Sequence, residues 1–372
     1  MSEWKTVKLS DICTLEKGQQ IDTTLLDDSK PYRYINGGIK ESGYFDNFNT
    51  SGESVLISEG GASCGFINYV NEKFWCGCHC YRLHDIKVFP KYLFHALKAN
   101  QQRIMALRTG SAMPNIQKST IQKFELKIHD DSTTQKKVST MLDKCNELIE
   151  KHKQTLEKYD NLIKSRFIEM FGNPQCISNN WKVNPLSDYC IVNPKKSELG
   201  PIPDDYELSF IPMQSVSENG DVDTSSIKHY KDVKTGFTYF RENDVLFAKI
   251  TPCMENGKGG VARKLKNQIG FGSTEFHVLR PIETISNSEW IYRLTTFKTF
   301  RKDAENNMTG SAGQRRTPKE FFDKYKVGLP PIELQNDFAS FVQQIDKSKF
   351  AVQKSLEKAE TLNKSLMQEY FG

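Results

Sequence analysis

Cys76, Cys78 and Cys80, with His79 between them, are the densest group of metal-ligating residue types in this sequence. In an extended strand, residues two apart share a face, so the three thiols would line up, with Cys64 as a further candidate. Structural zinc usually draws its ligands from two short knuckles, and no second knuckle follows. The expectation is a half-buried strand carrying small apolar thiols, and no metal. Catalytic templates are missing as well: the sequence has no G-x-x-x-x-G-K-[ST], H-E-x-x-H or G-x-S-x-G, and no Asn-Pro-Pro-Tyr methyltransferase motif. Gly270-Phe271-Gly272-Ser273 lacks the strand-to-helix setting of a dinucleotide loop. A metal-dependent nuclease would need a carboxylate cluster, which is also absent, so no catalytic residue is expected.

Residues suited to binding are easier to find. Thr109-Gly110-Ser111-Ala112 leads into Met113-Pro114-Asn115, and its twin Thr309-Gly310-Ser311-Ala312 leads into Gly313-Gln314-Arg315-Arg316. A Gly-Ser loop exposes backbone N–H groups and a hydroxyl, which suit phosphate oxygens, and the arginine pair adds charge and a donor fork. The competing reading is a turn that only links one element to the next. A second candidate is the strand Asp244 to Ile250, which opens into a polar loop where Lys249, Asn256 and Lys258 could meet phosphates or base edges. The competing reading there is a solvated loop. Its first-copy counterpart, Ser54 to Ile57 running into Gly60-Gly61 and Ser63, is less basic.

Two long stretches must position these loops. Thr133 to Phe171 contains no Gly or Pro and repeats apolar residues at three- and four-residue steps, including Leu142, Ile149, Leu156 and Ile163. Glu333 to Phe371 does the same with Val342, Val352, Leu356 and Leu366. That is the seam of one long helix packing on another, and about 39 residues at 1.5 Å each would span roughly 58 Å. Asp131 or Ser132 is the expected N-cap of the first helix.

The halves are copies. Trp4-Lys5, Leu9-Ser10-Asp11 and Cys13 return as Trp181-Lys182, Leu186-Ser187-Asp188 and Cys190, while Leu156-Glu157-Lys158 returns as Leu356-Glu357-Lys358. The offset grows from 177 at the tryptophans to 200 at the Gly-Ser loops, so the second copy carries extra residues between them. Each globular part reads as mixed, with strands at Tyr32 to Asn36, Glu53 to Ser58, Gly65 to Val70, Phe74 to Leu83, Tyr206 to Met213, Asp244 to Ile250 and Ser273 to Leu279. Lys91 to Thr109 and Glu289 to Asn307 read as helical. The expected architecture is α+β: a domain over residues 1–131, a helix over 132–172, a second domain over 173–331 and a second helix over 332–372. The two helices would pair antiparallel as a coiled coil in a pseudo-twofold molecule.

At 372 residues and 37% apolar content the chain is long enough for two cores, and a net charge of +5 permits a polyanionic partner without demanding one. No apolar run approaches a membrane span and the start lacks a signal-peptide apolar region, so a soluble, cytoplasmic protein with no membrane partner is expected. Nine scattered cysteines suit reduced thiols better than a disulfide framework.

With the paired Trp-Lys and Leu-Ser-Asp starts, the Asp244 to Lys258 run, the two Thr-Gly-Ser-Ala motifs and the two helices ending in Phe-Gly, the chain resembles the specificity subunit of type I restriction-modification systems. The resemblance spans essentially the whole sequence. It implies two target-recognition domains that each read half of a split double-stranded DNA sequence. It also implies two helices that set their separation and dock two methyltransferase subunits, with restriction subunits as further partners. S-adenosylmethionine, ATP and Mg²⁺ would belong to those partners and none to this chain. The rival reading is a non-catalytic adaptor with two protein-binding lobes on a coiled-coil spacer. The first copy lacks the Lys249 to Lys258 loop and the arginine pair, so the two domains would read unlike half-sites.

Overall fold

Asp131 starts the first long helix. Its carboxylate accepts from the backbone N–H groups of Thr133 (3.2 Å) and Thr134 (2.7 Å), satisfying donors that a helix start leaves open, and the Thr134 hydroxyl together with these N–H groups lowers its carboxyl pKa. The helix then runs Ser132–Phe171, and the second runs Ile332–Phe371. These assignments come from a computed structural model that describes residues 4–110, 112–173, 181–311 and 313–372. By packing, the chain divides into two compact units, Met1–Thr155 with Val352–Gly372, and Leu156–Ala351.

In the first unit the central sheet is antiparallel, in the order Thr14–Lys17, Cys80–His84, Ser54–Ser58, Ile67–Val70. A smaller sheet places Tyr32–Ile35 between Gly43–Phe45 and Phe74–Cys76, and Trp4–Lys8 pairs with Glu125–His129. The second unit repeats the plan. Its central sheet runs Cys190–Val192, Phe276–Pro281, Val245–Ala248, Gly259–Val261, its smaller one Ile227–His229, Glu207–Ile211, Ile269–Gly272, Thr238–Arg241, and its ribbon pairs Val183–Pro185 with Lys326–Gly328. Each unit adds a helix pair, Pro90–Ala99 with Gln101–Met105 in the first and Ser288–Thr296 with Lys298–Asn306 in the second. The single helices expected over 91–109 and 289–307 are thus each broken once.

The thiol-bearing strand needs correcting. The run from Phe74 to Leu83 is two strands in two different sheets, because the chain turns between Cys76 and Cys80. Gly77 makes that turn possible: its N–H donates to the Ile35 carbonyl at 2.8 Å, and a Cβ there would fall 2.3 Å from the Asn36 carboxamide oxygen. The thiols therefore do not line one face. Cys76 and Cys80 join Ile35, Leu56, Val70 and Phe74 in a buried apolar cluster, while half-exposed Cys78 donates to the Gln20 side-chain oxygen at 2.9 Å.

Neither long helix is a free-standing rod. Val138, Leu142 and Cys145 from the first helix and Leu366 and Phe371 from the second are buried in the first unit's core. Ile163, Phe167 and Phe171 join Phe338 and Val342 in the second unit's core. Within each unit the helical segments are antiparallel. In the first, Asn363 donates to Asn146 at 2.8 Å and Lys153 meets Glu360 at 3.6 Å; in the second, Lys349 meets Asp160 at 2.6 Å and Arg166 lies over the Phe341 ring. Of the expected seam, Leu142, Ile163, Val342, Leu356 and Leu366 are buried, whereas Ile149, Leu156 and Val352 are half-buried. Leu142, Ile163, Val342 and Leu366 belong to the two sheet-backed cores; Ile149, Leu156, Val352 and Leu356 lie outside them, and of these Leu356 alone is buried.

The first turn of each helix also carries a buried glutamine that ties loops to it. Gln135 accepts from Phe89 N–H at 2.9 Å and donates to the His129 carbonyl at 2.7 Å. Gln335 accepts from Asn287 N–H at 2.9 Å and donates to the carbonyls of Pro330 (2.8 Å) and Ile285 (3.1 Å). Replacing Gln335 with Leu keeps the volume but strands these backbone groups, at about 1–3 kcal/mol for each one left unpaired. Gln335→Leu and Gln135→Leu should each lower the urea midpoint by an amount equivalent to at least about 2 kcal/mol. A midpoint equal to the parent's would show that the clamp contributes nothing.

Candidate nucleic-acid interface

The candidate loops grow out of the ends of the central-sheet strands. In the first unit the pairing of Ser58 with Cys80 closes the Ser54–Ser58 and Cys80–His84 ladder, and the N–H of Glu59 then donates to the His79 carbonyl at 2.8 Å. In the second unit Ala248 faces Phe276, and the N–H of Lys249 donates to the Glu275 carbonyl at 2.9 Å. Beyond this step both chains are clamped to the segment that follows the Gly-Ser loop. Ile116 N–H donates to the Glu59 carbonyl at 2.9 Å, and Thr317 N–H to the Lys249 carbonyl at 2.8 Å. Gly60 bridges to Asn115, and Ile250 to Arg316.

The Gly-Ser loops are themselves closed by backbone pairs. Thr109 and Asn115 exchange hydrogen bonds of 2.8 and 2.9 Å, and Thr309 and Arg316 exchange bonds of 3.0 and 2.8 Å. Gly110 and Gly310 both have φ in the left-handed region, at 86° and 117°, which a side chain rarely tolerates. From below, the same carbonyl is held in each unit by a buried aromatic donor: Tyr81 Oη donates to Ile116 O at 3.1 Å, and His277 Nε2 to Thr317 O at 2.8 Å. The two units thus share one hydrogen-bonded frame.

On that frame the side chains differ. Glu59 in the first unit occupies the position of Lys249 in the second, His79 that of Glu275, Tyr81 that of His277, and Asn115 that of Arg316. Glu59 accepts from Lys17 Nζ at 2.8 Å and lies 3.0 Å from Tyr81 Oη, whose single proton is shared between this carboxylate and Ile116 O, with His79 3.9 Å away. In the second unit Glu275 grips Arg316 with contacts of 2.8, 2.9 and 3.2 Å, and these bonds lower its carboxyl pKa. Lys249 is half-buried, and its ammonium pKa is lowered chiefly by loss of water.

The expected site residues fall into these two clusters. Thr109, Gly110 and half-buried Asn115 lie in the first loop, and Ser111 lies outside the described residues. Thr309, Gly310, Ser311 and Gln314 are exposed in the second loop, where the structure brings Lys249, Arg315 and Arg316 together. Arg315 is 3.4 Å from Glu255, and its carbonyl accepts from Thr251 N–H at 3.0 Å. Asn256 is exposed in the turn after Ile250, whereas Lys258 is half-buried with its Nζ 3.5 Å from the Met213 carbonyl. Lys258, like Lys249, is therefore only partly open to a ligand. Sequence reasoning missed Lys17, Glu59, His79, Tyr81, Glu275 and His277. The signal was present in the repeat, but the changing offset between copies hid which residues correspond.

The arrangement holds directional donors and acceptors at a half-exposed surface. Its carboxylates are engaged by cations, and among the described residues no group of three His, Cys, Asp or Glu side chains is placed to hold a metal ion.

His277 makes the frame sensitive to acid. Its Nε2–H donates to Thr317 O and its Nδ1 accepts from the Asn193 carboxamide at 3.0 Å, so the ring is neutral, and burial pushes its pKa down to about 4. An unfolded histidine takes up a proton near pH 6.5, well before the folded one does. The stabilising contribution is therefore complete above about pH 6.5 and is lost as pH falls from there through about 4. Wild type should lose roughly 2–3 kcal/mol more than His277→Gln between pH 7 and 4.5 in urea unfolding. Parallel pH profiles would remove this role for His277.

Comparison with known proteins agrees with the geometry. The family model described as "Type I restriction modification DNA specificity domain" matches residues 1–158 and again 178–362. The EcoAI specificity subunit of Escherichia coli is 42% identical over 162 residues, 43% of this chain and 27% of that protein. The EcoEI specificity subunit of Escherichia coli is 38% identical over 156 residues, 42% of this chain and 26% of that protein. The matches thus span about a quarter of these relatives' length. In fold, the chain is similar to the crystal structure of a type I restriction-modification S subunit from M. genitalium, with a TM-score of 0.68 at 17% identity, covering 100% of this chain and 96% of that one. A chain from a structural study of type I restriction-modification complex assembly gives a TM-score of 0.51 at 13% identity, covering 99% and 97%. The two family matches, one on each unit's globular part, make this chain a member of the type I restriction modification DNA specificity family.

Proposed function

We propose that this chain is the non-catalytic sequence-recognition subunit of a type I restriction-modification assembly, and that each unit reads one half of a split double-stranded DNA target. The observation that carries the proposal is the shared frame with unlike side chains: Glu59 against Lys249, Tyr81 against His277, Asn115 against Arg316. A duplicated backbone with altered polar side chains, of which Asn115, Lys249 and Arg316 are half-buried at the surface and Glu59, Tyr81 and His277 buried beneath it, is what two readers of different half-sites require, since phosphate contacts set position and base-edge contacts set sequence.

The helices supply the docking surface for methyltransferase subunits in this reading. Leu148, Leu162, Phe350 and Leu362 stand exposed on them, with Phe350 at 62% and Leu362 at 52%, although the seams bury their own apolar residues. Solvent-facing side chains of that size suit a protein partner. S-adenosylmethionine, ATP and Mg²⁺ are assigned to the partner subunits, and the assembly to the cytoplasm. No helix among the described residues is long and apolar enough to cross a membrane.

Genome-wide adenine-methylation mapping, in cells with and without this chain, tests the proposal: a split motif should appear only with it. The second unit's cations make a sharper case. Arg315→Ala should weaken duplex binding by a similar factor on every sequence and make the slope of log affinity against log salt shallower by about 0.9. An unchanged slope would take Arg315 off the phosphate backbone.

A further inference from the structure

Arg316 is held at both ends. Its backbone is paired to Thr309 and bridged to Ile250. At the guanidinium, Nε is 2.9 and 3.2 Å from the Glu275 carboxylate oxygens, Nη2 is 2.8 Å from one of them, and Nη1 donates to the Gln314 carbonyl at 3.0 Å. Each Nη carries two hydrogens, so one on each remains to donate, and the side chain is 41% exposed. Glu275 is fixed in turn, since its N–H meets Ser273 Oγ at 3.2 Å and its carbonyl accepts from Lys249 N–H at 2.9 Å. The result is an aimed pair of donors whose positive charge is largely balanced by its neighbour.

That balance decides between two ligands. A phosphate is drawn by net charge, which Glu275 offsets at Arg316 and which is left to Lys249 beside it. A base edge is neutral and selects by direction, which the carboxylate improves by removing the arginine's rotational freedom. In the major groove, guanine presents two adjacent acceptors, O6 and N7, whereas adenine presents an acceptor beside a donor. We propose that Arg316 is a specificity-determining residue that selects a guanine in the half-site read by the second unit, with Glu275 as its positioning residue. This rests on the chain being a DNA-recognition subunit. The first unit offers a different fit: Asn115 stands at the matching position, and its carboxamide makes no hydrogen bond to the described residues, leaving the donor and acceptor that suit adenine.

The test uses the full chain assembled with its methyltransferase subunits and a duplex library with randomised bases, read by adenine-methylation sequencing. Wild type should select a split motif with guanine in one half. Arg316→Lys keeps the charge and loses the fork, so preference for that guanine should fall by about 10-fold or more while the other half stays as it was. Arg316→Gln should move the preference at that base pair toward adenine. Glu275→Gln should lower the guanine preference while affinity for random duplex holds or rises, an effect that loss of folding would not produce. Asn115→Ala should alter the other half alone, and unchanged melting temperatures confirm that each variant folds. A motif unchanged in Arg316→Lys and Arg316→Gln, with affinity lowered equally on all sequences, would make Arg316 a phosphate contact and overturn the proposal, as would a wild-type motif without guanine at the affected position. A wild-type assembly that selects no split motif at all would overturn the DNA-recognition reading itself.

Discussion

Closure of each core by two helical segments from distant parts of the chain is the constraint on which the rest depends. Neither central sheet is covered by its own local helices alone. The first needs Val138 and Leu142 together with Leu366 and Phe371, and the second needs Ile163 and Phe167 together with Phe338 and Val342. Phe338 shows how tight the closure is, lying within 5.5 Å of the Phe167 ring and 5.3 Å of the Phe171 ring, edge to face in both cases. Aromatic pairs of this kind add about 0.5–1.5 kcal/mol beyond the area they bury. The buried glutamines then tie the loops to the first helical turn. Each candidate loop is therefore fixed through its sheet to the helices and cannot drift independently of them.

Rigidity in the frame and variability on it are separable because they use different atoms. The frame is backbone: the bonds from Ile116 and Thr317 to the carbonyls of residues 59 and 249, and the pairs that close the Gly-Ser loops. The residues beneath it are buried and reach the same backbone carbonyl, by a phenol in one unit and an imidazole in the other. Side chains at positions 115 and 316 project from strand-like pairs without carrying the frame. Exchange at position 115 should cost little stability, since surface substitutions away from such bonds usually stay within about 0.5 kcal/mol, whereas exchange at 316 also breaks the pairing with Glu275. In the proposed role, the side chains on the frame can change while its backbone bonds stay.

Much of this was legible before any coordinates. Apolar spacing located both long helices to within a residue at their starts, and the cap was readable as Asp131 or Ser132, because a short polar side chain just before an apolar-periodic run can satisfy open N–H groups; the bonds to Thr133 and Thr134 select Asp131. The placement of the thiols was not legible. Periodicity sees Phe74 to Leu83 as one strand, and only the tertiary crowding of Gly77 against Asn36 shows that the chain turns there. The partners Glu59 and Glu275 were hidden for another reason. The copies differ by insertions, so the offset between matching residues is 190 at Glu59 and Lys249 but 196 at Tyr81 and His277. Only the strand register aligns them.

The charges around these loops bear on how such a chain would choose its target. Lys17 is paired with Glu59, Arg315 lies near Glu255, and Arg316 is locked to Glu275, in a protein whose net charge is only +5 over 372 residues. Sequence-independent binding to DNA comes almost entirely from phosphate neutralisation, so a surface that neutralises its own cations forgoes much of it. In a genome the competitor of every specific site is the large excess of non-specific duplex, and discrimination depends on the ratio of the two affinities. Carboxylates beside the candidate cations lower the non-specific affinity and, where they hold a donor fork in place, spare the directional contacts. In the proposed role the modest net charge therefore favours selectivity, with overall affinity left to the assembled complex.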